Sequence, residues 1–129
     1  MNELQKVISE LTFAALCSDI KIPDETTVTF KVKHLFHKNR VEEYFCLHQT
    51  EDGLFLSDEG TTLANLDDVF ELGEPDVIKN IVAILKKFDM GKSGNAFLYK
   101  IDASKDVVPQ ILRFLQGIHF LYAMKLFYV

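Results

Sequence analysis

The sequence predicts one α+β domain over residues 1–129, with a four-stranded, largely antiparallel sheet and helices packed on it in the order α-β-β-β-α-α-β-α. Three observations carry that expectation. Residues 27–33 and 96–102 alternate apolar and polar side chains at strand period. Residues 2–16 and the stretch after Asp106 carry apolar residues at helical spacing. Between them, LFLSDEGTTLANL (residues 54–66) switches from strand to helix through the tight polar turn Ser57-Asp58-Glu59-Gly60.

Taken in order, Leu4, Val7, Ile8, Leu11, Ala14 and Ala15 form the apolar stripe of an amphipathic first helix. Pro23 and the polar run after it end that segment and lead into strand. Val28, Phe30 and Val32 share one face of the first strand, and Lys38-Asn39-Arg40 marks a hairpin tip. The second strand spans about Val41 to Gln49, with Val41, Phe45 and Leu47 on one face and Glu42, Tyr44, Cys46 and His48 on the other. Glu51-Asp52-Gly53 turns the chain into the third strand at Leu54. A short helix follows over 61–70 and stops at Gly73. Pro75 opens the next, which runs to Phe88 with Glu74 and Asp76 at its positive end. Residues 91–95 read as a loop, 96–102 as the fourth strand. Asp106 is placed to cap the last helix, since Pro109 is tolerated only in a first turn. That helix is apolar on more than one face, so it is either core or covered by a second chain.

The composition, 48% apolar and 26% charged, is that of a folded domain rather than a disordered chain. Eleven Phe and four Tyr with no Trp predict an aromatic core. No apolar run approaches the roughly 18–20 residues of a membrane span. The first residues, MNELQKVISELTFAAL, carry acidic groups among the apolar ones, unlike a signal peptide. A cytoplasmic protein with no membrane partner is therefore expected. Cys17 and Cys46 lack CxxC spacing and are expected to be buried, reduced thiols.

The net charge of −5 is unevenly spread. Between Arg40 and Lys79 there is no Lys or Arg, while Glu42, Glu43, Glu51, Asp52, Asp58, Glu59, Asp67, Asp68, Glu71, Glu74 and Asp76 all fall there. Such a stretch repels nucleic acid and attracts basic protein surfaces.

Chemistry is sparse. Asp58-Glu59 sits where a strand end and a helix start would hold side chains rigidly. The simpler role is structural: Asp58 caps the helix, Gly60 supplies a left-handed turn, and Thr61 or Thr62 bonds helix N–H groups. His34 and His37 fall on opposite strand faces, which opposes a metal pair. Cys46 and His48 share a face and would be near enough for a nucleophile pair, but no orienting group is in view. His119 reads as a packed or interface histidine. There is no P-loop, GxGxxG, HExxH or GxSxG, and no metal or cofactor is expected.

At its central turn, Leu54-Phe55-Leu56-Ser57-Asp58-Glu59-Gly60-Thr61-Thr62-Leu63-Ala64-Asn65-Leu66, the chain resembles the bacterial and phage domain-of-unknown-function family eighteen twenty-eight. The likeness extends over about residues 26–125. It carries no established activity with it; it implies a phage or mobile-element setting, where such proteins often sit. Together these readings lead to a non-enzymatic protein-binding module that engages and inhibits a basic, nucleic-acid-handling or defence protein of a host. Glu42, Glu43, Asp58, Glu59, Asp67, Asp68 and Glu71 would meet that partner. Ile118, Phe120, Leu121, Met124 and Phe127 would join two copies. Two alternatives stay open: a metal-dependent hydrolase or nuclease built on Asp58, Glu59 and His48, and a regulatory domain that senses a small ligand between sheet and helices.

Overall fold

Strand alternation sorts the side chains into two sets, and the register shows where each set goes. The computed structural model describes residue 7 and residues 17–32, 44–67 and 71–124. Strands β1 (Cys17–Asp24), β2 (Thr27–Val32), β3 (Tyr44–Thr50) and β4 (Gly53–Ser57) form an antiparallel meander. Helices α1 (Thr61–Asp67) and α2 (Pro75–Lys87) follow, then the hairpin β5 (Gly91–Ser93) and β6 (Ala96–Ile101), then α3 (Val107–Ala123). β6 returns to pair antiparallel with β4, giving the strand order β1-β2-β3-β4-β6-β5.

Residues paired directly across neighbouring strands point to the same face. Val28, Leu47, Leu56 and Tyr99 form one such row. With Phe30, Phe45, Leu54, Phe97 and Ile101 they make the face that α3 covers, and all but Tyr99 are buried. Phe114 of α3 meets Phe45 edge-on at 5.9 Å between ring centroids and Tyr99 at 6.5 Å, while Phe30 and Phe45 lie 6.2 Å apart. Edge-to-face contacts of this kind add to the burial of the rings themselves. Val7 is helical and joins the same core.

The end of α2 is locked by a Schellman arrangement: Met90 N–H donates to the Leu85 carbonyl at 2.8 Å across Asp89, which takes φ 56. Arg113 of α3 holds that turn, donating to Asp89 Oδ2 at 3.1 Å and to the Lys87 carbonyl at 2.8 Å. Pro75 begins α2, Asp76 lies in its first turn, and Lys86 and Lys87 lie in its last, so charge complements the dipole at both ends.

The expected mixed α+β class and antiparallel sheet are present, but the sheet has six strands among the described residues rather than four. The described order therefore runs β-β-β-β-α-α-β-β-α. β1 was missed because Pro23 reads as a terminator. On an edge strand a proline forfeits no ladder bond, and β1 pairs with β2 through register shifts on either side of Lys21. β5 was missed because Gly91-Lys92-Ser93 has no apolar residue; it exists through pairing with β6 across a two-residue Gly94-Asn95 turn. The first helix beyond Val7 and the hairpin tip at Lys38–Arg40 lie outside the described residues. The over-apolar last helix is explained by its own fold: Ile118, Leu121 and Met124 are buried in the core. Asp106 does precede α3, although its side chain makes no capping bond.

Gly117 lets α3 lie close against the turn after α2. A Cβ there would stand 2.2 Å from Met90 Sδ and 3.2 Å from Phe88 Cβ. Gly117→Val should therefore destabilise the domain by about 1–3 kcal/mol, as overpacked cores do. Urea unfolding checks this as a lower midpoint at unchanged slope.

Candidate functional site

The strand-to-helix turn is built around Asp58, which is 1% exposed. Oδ1 accepts the backbone N–H groups of Gly60 at 3.0 Å and Phe97 at 2.8 Å, and Oδ2 accepts that of Thr62 at 3.2 Å. The Asp58 N–H also donates to the Phe97 carbonyl at 3.2 Å. One side chain thus extends the β4–β6 ladder, closes the turn and caps α1. The structural role expected for Asp58 holds, and it corrects the expectation that this residue meets a partner: its carboxyl faces inward. Gly60 adopts φ 86, as its turn role required.

The knot leaves Glu59 at φ 57, a left-handed conformation that side chains other than glycine enter at a cost. Its N–H donates to Ser57 Oγ at 3.0 Å. Its carboxylate Oε1 lies 2.6 Å from Nε2 of His48. The third member is Cys46, two residues before His48 on β3 and paired across the ladder with Ser57. The ligand atoms of Cys46, His48 and Glu59 all fall within 4.8 Å of one another. Cys46 is buried and unpaired by disulfide, while the His48 and Glu59 side chains are 36% and 47% exposed.

Electrostatics within the trio are asymmetric. Burial, with the Glu59 carboxylate beside it, pushes the Cys46 thiol up to about 12. Partial burial also pushes the Glu59 carboxyl upward. Hydrogen bonding and charge interaction with His48, helped by Cys46 and Ser57, outweigh this and hold it below its usual range. A thiol kept protonated is not an activated nucleophile. The Cys46–His48 pair therefore has its orienting carboxylate, which the sequence alone did not reveal, yet lacks the depressed thiol that nucleophilic catalysis needs.

The trio stands on the sheet face opposite the core. Tyr44 and Phe55 share that face, with Lys31 5.9 Å from the Tyr44 ring centroid and Lys100 6.0 Å from that of Phe55. Two recesses lie elsewhere. One of about 400 Å³ is lined by Gly60, Leu63, Ala64, Asp67, Leu72 and Asn95. One of about 420 Å³ is lined by Gly53, Leu54 and residues 100–104. Neither is lined by Cys46, His48 or Glu59, so neither supplies the cleft that a hydrolase on Glu59 and His48 would use.

Of the other expected contact residues, Asp67 and Glu71 are exposed, whereas Glu42, Glu43, Asp68 and Phe127 lie outside the described residues. Phe120 is 44% exposed and packs on Phe88 at 5.1 Å, with Lys87 over its ring. Ile118, Leu121 and Met124 are turned into the chain's own core and offer no surface to a second copy. His119 is exposed on α3, edge-on to Phe120. No helix among the described residues is long and apolar enough to cross a membrane.

Fold and site together define an antiparallel α+β domain whose sheet bears a Cys-His-Glu cluster opposite its core. No protein-family model, no curated protein and no solved structure matches the chain.

The roles of adjacent acids in the turn can be separated. Asp58→Asn should cost about 3 kcal/mol, because a buried carboxyl that serves three backbone donors, two of them buried, is replaced by a group with one acceptor oxygen. Glu59→Gln should cost less than about 1 kcal/mol, the range of exposed pairs. Parallel denaturant titrations of the two variants check the contrast.

Proposed function

We infer that this domain is a non-enzymatic binding protein that engages a basic protein surface through the acidic flank formed by α1 and the segment leading into α2. The observation that carries the reading is the recess of about 400 Å³ beside α1. Leu63, Ala64 and Leu72 contribute apolar lining, and the exposed Asp67 lines it beside them. A pocket so built suits an arginine or lysine, whose apolar stem packs on the wall while its charged head meets the carboxylate. Asp67, Glu71 and Glu74 are exposed, and among the described residues none of them is paired with a Lys or Arg. Their field is therefore available to a partner and favours fast, salt-sensitive association.

A nucleic-acid-handling or defence protein of a host presents the required basic surface, and blocking that surface would inhibit it. This fits the phage or mobile-element setting implied by the resemblance at residues 54–66. The hydrolase alternative loses support because Asp58 is engaged by three backbone donors and is not available to a metal or substrate.

Affinity capture from host lysate tests the reading, comparing the native chain with the triple variant Asp67→Asn, Glu71→Gln, Glu74→Gln at low and high salt. The expected result is a basic protein recovered at low salt by the native chain, depleted at high salt, and lost with the variant. Equal recovery by both chains would contradict it.

A further inference from the structure

We propose that Cys46, His48 and Glu59 form a binding site for a divalent transition metal, Zn²⁺ by preference, on the sheet face opposite the core. The proposal is independent of the acidic-flank reading, which uses other residues.

The donor set points to the metal. One thiolate sulfur, one imidazole nitrogen and one carboxylate oxygen suit a borderline ion such as Zn²⁺ rather than Mg²⁺ or Ca²⁺, which prefer oxygen alone. Two anionic donors also neutralise the dication, so the inner sphere carries no net charge into a partly buried place.

The geometry points the same way. Zn²⁺ holds sulfur at about 2.3 Å and nitrogen or oxygen at about 2.0–2.2 Å, so donor atoms around a tetrahedral ion lie roughly 3.3–3.6 Å apart. The three donors here already lie within 4.8 Å of one another, with His48 Nε2 and Glu59 Oε1 at 2.6 Å. Inserting the ion means opening that hydrogen bond by less than about 1 Å, through rotation of two partly exposed side chains, and bringing them to tetrahedral spacing from the Cys46 sulfur, which lies within 4.8 Å of both.

The backbone positions are rigid. Cys46 and His48 are two apart on a strand with both neighbours paired, which points them the same way. Glu59 is fixed by the Asp58 turn and by its own N–H bond to Ser57 Oγ. Ser57, buried beside Cys46, is thus a positioning residue rather than a ligand.

Binding releases the Cys46 thiol proton to solvent and forms a Zn–S bond. His48 gives up the Nε2 proton it shares with Glu59, to solvent if Nδ1 is already protonated or with a proton taken up at Nδ1 if it is not, and coordinates through the freed Nε2 lone pair. The Glu59 carboxylate gives up its hydrogen bond to the imidazole and binds the ion instead. With three protein donors the fourth position faces solvent and takes water, the pattern of an open zinc site.

The test uses the purified full chain, freed of metal with a chelator and titrated with Co²⁺ and then Zn²⁺. One equivalent of Co²⁺ should give the sulfur-to-cobalt charge-transfer absorption and intense visible bands of a tetrahedral site, and Zn²⁺ should bleach both. Zn²⁺ should raise the unfolding temperature of the native chain. Cys46→Ser should abolish the charge-transfer band. His48→Gln and Glu59→Gln should each weaken Zn²⁺ binding by more than the roughly 10–100-fold that loss of a supporting outer partner costs. A folded native chain that shows no cobalt–thiolate band would overturn the proposal. So would zinc affinity that is the same in the native chain, Cys46→Ser and His48→Gln, since the ion would then be held elsewhere.

Discussion

Three backbone N–H groups from three separate places converge on the carboxyl of Asp58: Gly60 in the turn, Thr62 in the first turn of α1, and Phe97 at the start of β6. Each would otherwise be a donor facing a buried or partly buried space with no acceptor, and such groups are expensive to leave unmade. The rest of the architecture depends on that convergence. It ties β4 to β6 just beyond the last ladder pair at Ser57 and Leu98, so the chain that leaves the sheet through two helices is returned to the correct neighbour. It also sets where α1 starts, and hence how Leu63 and Leu66 enter the core. Thr62 shows what the arrangement forgoes. It is fully buried, yet its Oγ1 has no hydrogen-bond partner among the described residues.

The same knot connects folding to chemistry. Closing the turn on Asp58 forces Glu59 and Gly60 into left-handed backbone conformations, and the glutamate pays a steric penalty that glycine does not. In return its carboxylate is delivered to Cys46 and His48 on the sheet face that α3 does not cover. Two adjacent acids thus have opposite fates set by one turn. Asp58 is consumed by the backbone, while Glu59 is held at the surface with a histidine and a thiol for company. The division also separates the two faces of the sheet: aromatic packing around Phe45 and Phe114 on one, polar and titratable groups on the other.

How much of this was legible in the sequence depends on the kind of signal. Clean alternation gave β2 and β6, the Asp52-Gly53 turn and the apolar run after it gave β4, and the proline and charge pattern around Pro75 gave the start of α2, which ends at Lys87 rather than Phe88. β1 carried a signal too, Ile20 and Ile22 alternating with Lys21, but Pro23 outweighed it because nothing local says that a strand is at an edge. β5 was written only in its turn, since Gly94-Asn95 is a hairpin pair that imposes a strand on whatever precedes it. At the site, strand period placed Cys46 and His48 on one face, and the turn motif singled out Asp58 and Glu59. That Glu59 rather than Asp58 joins the other two was not legible. It follows from contacts of Asp58 with Phe97, thirty-nine positions along the chain, and no local pattern encodes them.

The Asp58 carboxyl is the acceptor that binds turn, helix and sheet together. Amide hydrogen exchange of the native chain, read residue by residue, tests that most directly. The N–H groups of Gly60, Thr62 and Phe97 should exchange as slowly as those of the central β3–β4 ladder, opening only with global unfolding. Exchange of Gly60 and Phe97 at the fast rate of an exposed turn, while the ladder stays protected, would contradict it.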